Sequence, residues 1–204
     1  EEAVLAWSPD GSQLLVFGFQ ARSVWLVPVD GREEPVKAVP FEADWAAWRP
    51  GGAGFIVRRS TDGDIGLVPV SWPDLVVGEP IITANPSISE SLHQDMSDLR
   101  EPAFSPDGSH ILVLNWPFDR GGLAGLEKRR VYVLDTDGSD LRLLELDPAA
   151  DQERLPSFSP DSRRVVMFSL AWDKTTDTYI PNARIAILTL DGSAPPTAFP
   201  APEA

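Results

Sequence analysis

Residues 100–114 read REPAFSPDGSHILVL. Ser-Pro-Asp-Gly between two apolar stretches is the signature of a tight turn, with Pro holding φ at about −65° and Gly supplying a positive φ. HILVL after the turn is a β-rich run, long enough for a buried strand. The same pattern appears as AVLAWSPDGSQLLVF from Ala3, as DWAAWRPGGAGFIV from Asp44 and as RLPSFSPDSRRVVMF from Arg154. The anchoring aromatics are Trp7, Trp48, Phe104 and Phe158, spaced 41, 56 and 54 residues apart. A second element follows each copy: SVWLVPVDG, DIGLVPVSW, RVYVLDTDG and RIAILTLDG. Four paired copies in order define an internal repeat.

Each unit reads as four antiparallel strands, a to d. Strand a ends at the anchor, b follows the Pro-Asp-Gly turn, and c is the second element. Strand d fits PVKAVPF, EPIITA, LRLLEL and PPTAFP. Four-stranded sheets repeated radially are β-propeller blades. The expected fold is therefore all-β, a propeller of four-stranded antiparallel blades in one domain. The blades cover approximately 3–42, 43–98, 99–152 and 153–200, with 201–204 as a tail. Three arrangements fit four repeats: a closed four-bladed disc, which is preferred narrowly; part of a larger propeller; or a homodimer that covers the end blades.

WSPDG, then a strand, then an apolar strand ending in Asp-Gly, resembles the TolB-type propeller repeat, which also occurs in the propeller domains of prolyl-oligopeptidase-type peptidases. The match is strong in copies one (WSPDG) and three (FSPDG), good in copy four, where Ser162 replaces the Gly, and degenerate in copy two, which has WRPGG for WSPDG. The resemblance implies a scaffold or interaction platform in an extracytoplasmic, bacterial-envelope setting. Fold alone does not imply function.

Composition narrows the partners. The 204 residues carry 31 acids against 17 bases, a net charge of −14, which argues against nucleic acid or an anionic membrane surface. No apolar run approaches the ~18 residues of a membrane span, so no direct membrane insertion is expected. The opening EEAVLAWSPDG has no basic and apolar leader pattern, so no signal peptide is expected there. With no cysteine and two histidines, thiolate catalysis, disulfides and Cys-based zinc sites are excluded, and a His-rich metal centre is not expected.

Spacing shows where function would sit. From anchor to the end of strand c is 23 and 22 residues in the first two copies and 33 in the last two. The additions fall between b and c, at 115–130 and 171–184, and a third insertion at 85–99 precedes strand a of copy three. Strands alternate in direction, so b–c and d–a connections share one face of the disc, and the tight turns occupy the other. Long insertions on a rigid scaffold are where binding residues concentrate. They carry Trp116, Phe118, Arg120, Trp172, Tyr179 and His93, while Asp44, Arg100 and Arg154 stand four residues before their anchors, at the mouth of the central channel. Aromatics and Arg are enriched at interaction hot spots. The plainer alternatives are aromatics folded back as blade caps and arginines paired with acids of neighbouring blades.

Catalytic signatures are absent from the sequence. DTDGSD at 135–140 has its Gly fourth rather than sixth and falls at a c–d turn, so it is not read as a calcium loop. There is no G-x-S-x-G elbow, and RGGLAG at 120–125 lacks the Lys-Ser/Thr of a phosphate loop. No catalytic residue, metal or cofactor is assigned. The reading is a non-enzymatic module recognising a protein or peptide partner through the long-loop face. The alternatives are a small glycan or peptide-terminus ligand in the funnel, or the propeller part of a larger hydrolase.

Overall fold

The computed structural model describes residues 2–61, 64–83, 99–115, 129–144, 152–170, 172–173, 178–179 and 184–200. Four of its sheets correspond to the four repeats, each with its strands in chain order. The first sheet contains β1 (Glu2–Trp7), β2 (Gln13–Gly18), β3 (Ser23–Pro28) and β4 (Val36–Lys37). The second contains β5 (Ala43–Trp48), β6 (Gly54–Thr61), β7 (Asp64–Ser71) and β8 (Ile82–Thr83), and the third β9 (Leu99–Phe104), β10 (His110–Asn115), β11 (Arg130–Asp135) and β12 (Arg142–Leu144). The fourth contains β13 (Gln152–Phe158), β14 (Arg164–Leu170), β17 (Arg184–Thr189) and β18 (Thr197–Pro200). All neighbours within these sheets pair antiparallel. Among the described residues there is no helix. This is the expected architecture, and PPTAFP does supply a fourth strand to the last blade.

The insertion at 171–184 contains an element that the sequence does not announce. β15 (Trp172–Asp173) and β16 (Thr178–Tyr179) pair as a two-stranded hairpin, with Trp172 directly opposite Tyr179.

The Ser-Pro-Asp-Gly turn is held by its own side chains. Ser105 Oγ donates to Asp107 Oδ1 at 2.6 Å and accepts from His110 N at 2.9 Å, and Ser109 N donates to the same carboxylate oxygen at 3.0 Å. The same set recurs around Ser8 and Asp10, and around Ser159 and Asp161. Copy two has neither Ser nor Asp and turns differently. Gly51 carries φ +84° behind Pro50, the geometry of a type II turn that only glycine enters without strain. In copy four Ser162 takes the glycine's place at φ +59°, and its Oγ accepts from Asp107 N of the preceding blade at 3.0 Å.

Every innermost strand contains a β-bulge shortly before its anchor. In the third and fourth blades the bulge contains Glu101-Pro102 and Leu155-Pro156, with positive φ at Glu101 and Leu155. Pro fits there because a bulged residue need not donate to the ladder.

Blades stack through apolar faces. Leu15, Phe17, Val24 and Leu26 of the first pack on Phe55, Val57, Val68 and Val70 of the second. Ile56 and Leu67 of the second meet Ile111, Val113, Tyr132 and Leu134 of the third. Leu112, Leu114, Val131 and Val133 of the third meet Val165, Met167, Ala186 and Leu188 of the fourth. Burying each such side chain contributes roughly 1.5–3 kcal/mol. Gly138 marks how closely the second and third blades approach, since a Cβ there would lie 2.1 Å from Ile81 O. No apolar cluster among the described residues joins the fourth blade to the first. The described blades thus form an open series, and the closed four-bladed disc is not what they show. Closure would need apolar packing that these two end sheets do not make with each other.

Candidate functional site

The antiparallel order places the b–c connections and the starts of β5, β9 and β13 on one face. There the first three blades line an open cavity of about 440 Å³. Phe17, Phe19 and Arg22 line it from the end of β2 and the turn after it, Asp44, Trp45 and Arg58 from β5 and β6, and Arg100 and Glu101 from the start of β9. Backbone bonds fix these pieces to each other. Ala43 N donates to Arg22 O at 3.0 Å, and Ser60 N donates to Glu42 O at 3.0 Å.

The two bulges set the charged lining. Asp44 is the extra residue between Ala43 and Trp45, and Glu101 sits in the β9 bulge at φ +52°. Bulges re-aim side chains, and a non-glycine residue at positive φ costs roughly 1–2 kcal/mol. Asp44 Oδ2 accepts from Arg58 Nη1 in an ion pair whose Arg58 side chain is 6% exposed. The other Asp44 oxygen, Oδ1, is buried and has no hydrogen-bond partner among the described residues. Arg22 pairs with Glu42 at 3.3 Å and donates from Nη2 to Ser60 O at 2.9 Å.

Aromatic surface adjoins these charges. Phe19 is 52% exposed and packs edge-on against buried Phe17 with centroids 4.7 Å apart, while Trp45 is 36% exposed. The lining holds three arginines and two carboxylates, 3 − 2 = +1, in a chain whose net charge is −14. The acid excess is therefore carried elsewhere. Among the described residues no group of three or more His, Asp or Glu is placed to hold a metal ion.

Of the residues singled out from sequence, Asp44 and Arg100 meet in this cavity. Arg154 occupies the corresponding place on the fourth blade beside the Leu155 bulge and does not line it. Trp172 and Tyr179 are register partners in the β15–β16 pair. His93, Trp116, Phe118 and Arg120 lie outside the described residues. Sequence reasoning missed Phe17, Phe19, Arg22, Trp45, Arg58 and Glu101. One signal was available for Arg58: GFIVRRST places arginines inside an otherwise apolar strand, and a buried charge requires a partner.

The opposite face has another electrostatic character. Hydrogen bonds from Ser8 and Ser12 hold the Asp10 carboxyl below its ordinary pKa. Ser105 and Ser109 do so for Asp107, Ser139 for Asp137, Ser159 for Asp161, and the Ser193 backbone N–H for Asp191. These carboxylates are turn-holders, each hydrogen-bonded by donors of its own turn.

No protein-family model and no curated protein matches this sequence. Solved structures do match its fold. The chain is similar to Kuenenia stuttgartiensis hydrazine synthase at 15% identity and TM-score 0.67, covering 95% of this chain and 52% of that one. It is similar to an oligogalacturonate lyase in complex with manganese at 16% identity and TM-score 0.65, covering 96% and 52%. A putative TolB from Agrobacterium tumefaciens is 17% identical with TM-score 0.58, covering 97% of this chain and 79% of that one. The chain thus spans about half the length of the first two. The fold is that of a TolB-like β-propeller, shared by proteins of mixed roles.

Proposed function

We propose that this chain is one β-propeller domain and a non-enzymatic binding module, recognising a protein or peptide partner through the face where the long b–c and d–a insertions emerge. The observation that carries the reading is the cavity itself. Asp44 and Arg100, chosen from sequence as channel-mouth residues, line it beside exposed Phe19 and Trp45. A peptide supplies an N–H donor for Asp44 Oδ1 and a side chain to cover exposed Phe19. The blades hold these groups before binding, so little ordering entropy is lost. The reading from sequence adds Trp116, Phe118, Arg120, His93, Trp172 and Tyr179 of the insertions, and Arg154 of the fourth blade, as further contact residues to be tested by substitution. An extracytoplasmic location accords with the likeness to TolB.

A concave site lined by convergent polar groups also favours a small ligand such as a glycan or peptide terminus. Membership of a larger enzyme accords with a chain half the length of two enzymes of this fold. A thermal-shift screen against short peptides, oligosaccharides and divalent metals separates these readings, because a ligand of the folded state raises the melting temperature by mass action. A saturable rise with peptides, lost in Phe19→Ala and reduced in Trp116→Ala and Trp172→Ala, is expected. A rise confined to sugars or metals would reject the peptide reading.

A further inference from the structure

Copy two departs from its own repeat at two places, and both line one cavity. In each blade the residue after strand c donates its backbone N–H to the end of the a–b turn: Val29 to Ser12 O, Thr136 to Ser109 O, Leu190 to Arg163 O and, in the second blade, Trp72 to Ala53 O at 3.1 Å. A tryptophan thus stands where the other blades place Val, Thr or Leu. In the a–b turn, Gly51 stands where the others carry Asp10, Asp107 and Asp161. The turn gives up its serine–aspartate bonds with that change.

These residues border an open cavity of about 330 Å³ on the tight-turn face, between the first and second blades. Ser8, Pro9 and Asp10 line it from the first blade, and Trp48, Gly51, Gly52 and Trp72 from the second. Between the third and fourth blades the same junction is tied by Asp107 N donating to Ser162 Oγ. Here the position matching Ser162 is Gly52, which has no hydroxyl to accept, and a Cβ on Gly51 would meet nothing within 4 Å. Two glycines leave the space and two tryptophans wall it. Trp48 is 8% exposed and meets Trp72 edge-on at 90°, with ring centroids 6.0 Å apart. Its Nε1 is buried with no acceptor among the described residues, although a buried indole N–H usually has one. On the first blade, Asp10 Oδ1 accepts from Ser8 and Ser12, while Oδ2 accepts only from Ser12 Oγ among the described residues.

We propose that this cavity is a second binding site, for a neutral sugar. A sugar ring combines an apolar C–H face, which packs on the indoles and Pro9, with hydroxyls that both donate and accept. One hydroxyl accepts from Trp48 Nε1 and another donates to Asp10 Oδ2. A proline ring has no donor for the carboxylate, and an ammonium or guanidinium has no acceptor for the indole. An anionic sugar meets the Asp10 carboxylate in a chain of net charge −14. The volume lies at the lower end of the range of about 300–1,000 Å³ for ligand pockets, which suits one or two rings.

The test is a titration of the 204-residue protein with maltose, cellobiose and lactose, followed by the tryptophan indole N–H signals in nitrogen–proton correlation spectra. The Trp48 signal is identified by its absence in Trp48→Phe. A saturable shift of that signal at millimolar concentration of at least one of the three sugars is expected. Trp72→Leu, with its fold checked by circular dichroism, should weaken that binding about tenfold or more. No saturable shift with any of the three up to about 50 mM, a shift that spares the Trp48 indole, or equal affinity in folded Trp72→Leu would each overturn the proposal. An equal response to an N-acetylated oligoproline would overturn the choice of a sugar. The wild-type spectra decide the matter even where Trp72→Leu does not fold. This site shares no residue with the cavity of the first three blades, so sugar binding here and peptide binding there stand or fall separately.

Discussion

On the tight-turn face, three of the four a–b turns are closed by a serine and an aspartate two residues apart, whose mutual bonds span no more than five residues of sequence, with one bond between blades from Asp107 N to Ser162 Oγ. On the long-loop face, the groups that meet come from three blades: Arg22 bonds Ser60, Arg58 bonds Asp44, and Arg100 lines the same cavity. The first face uses polar residues to satisfy the backbone and engages its carboxylates with donors of their own turns. The second gathers arginines, carboxylates and exposed aromatics that local structure does not require. Two faces built on the same strands thus differ: one is closed by local hydrogen bonds, the other by contacts between blades.

The largest effect should come from the long-loop face. Arg58→Met leaves the Asp44 carboxylate without its buried cation, and breaking such a pair costs about 3 kcal/mol or more. Urea unfolding should show a midpoint shift of that size. A loss under about 1 kcal/mol would mean that the pair contributes no more than an exposed one.

Next comes the opposite face. Ser105 is fully buried and both donates to Asp107 and accepts from His110 N, so Ser105→Ala should cost about 1–2 kcal/mol. The corresponding Arg49 of copy two makes no such set, so Arg49→Ala should change the unfolding midpoint little. Equal losses at the two positions would contradict the account of the motif.

Acid sharpens the comparison further. Asp10, Asp107, Asp137, Asp161 and Asp191 all have pKa values lowered on folding. Their hydrogen bonds therefore contribute fully above the unfolded carboxylate value of about 3.9, and that contribution is lost as pH falls through the lower folded values. The melting temperature should fall below about pH 4, less so in Ser105→Ala, which has already lost the main cause at Asp107. A melting temperature independent of pH across that range would remove the turn aspartates from the account.

The smallest effect is expected at Ser162. Ser162→Gly relieves a side chain at φ +59° but removes the acceptor of Asp107 N, and the two should cancel to within about 0.5 kcal/mol. A larger change in either direction, read from the same unfolding curves, would show which dominates.

The difference between the faces also explains what was legible in the sequence. The blades were, because Pro-Asp-Gly, strand alternation and anchor spacing are local signals repeated four times. Asp44 and Arg100 were, because their offset from the anchors repeats as well. Arg22, Arg58 and Glu101 were not, since their meeting depends on how three blades stack and on bulges that shift a strand by one residue. The β15–β16 hairpin was missed because two-residue strands carry no periodicity. The closed disc was favoured over an open series because repeat count alone is silent on whether the first and last sheets touch.

The central claim is that peptide binding belongs to the long-loop face. It is tested by measuring affinity for the best peptide of the thermal-shift screen in Arg100→Ala and in Asp107→Asn, one substitution on each face. The account predicts about tenfold or greater weakening for Arg100→Ala and unchanged affinity for Asp107→Asn. Unchanged affinity in Arg100→Ala, with equal or greater loss in Asp107→Asn, would contradict it.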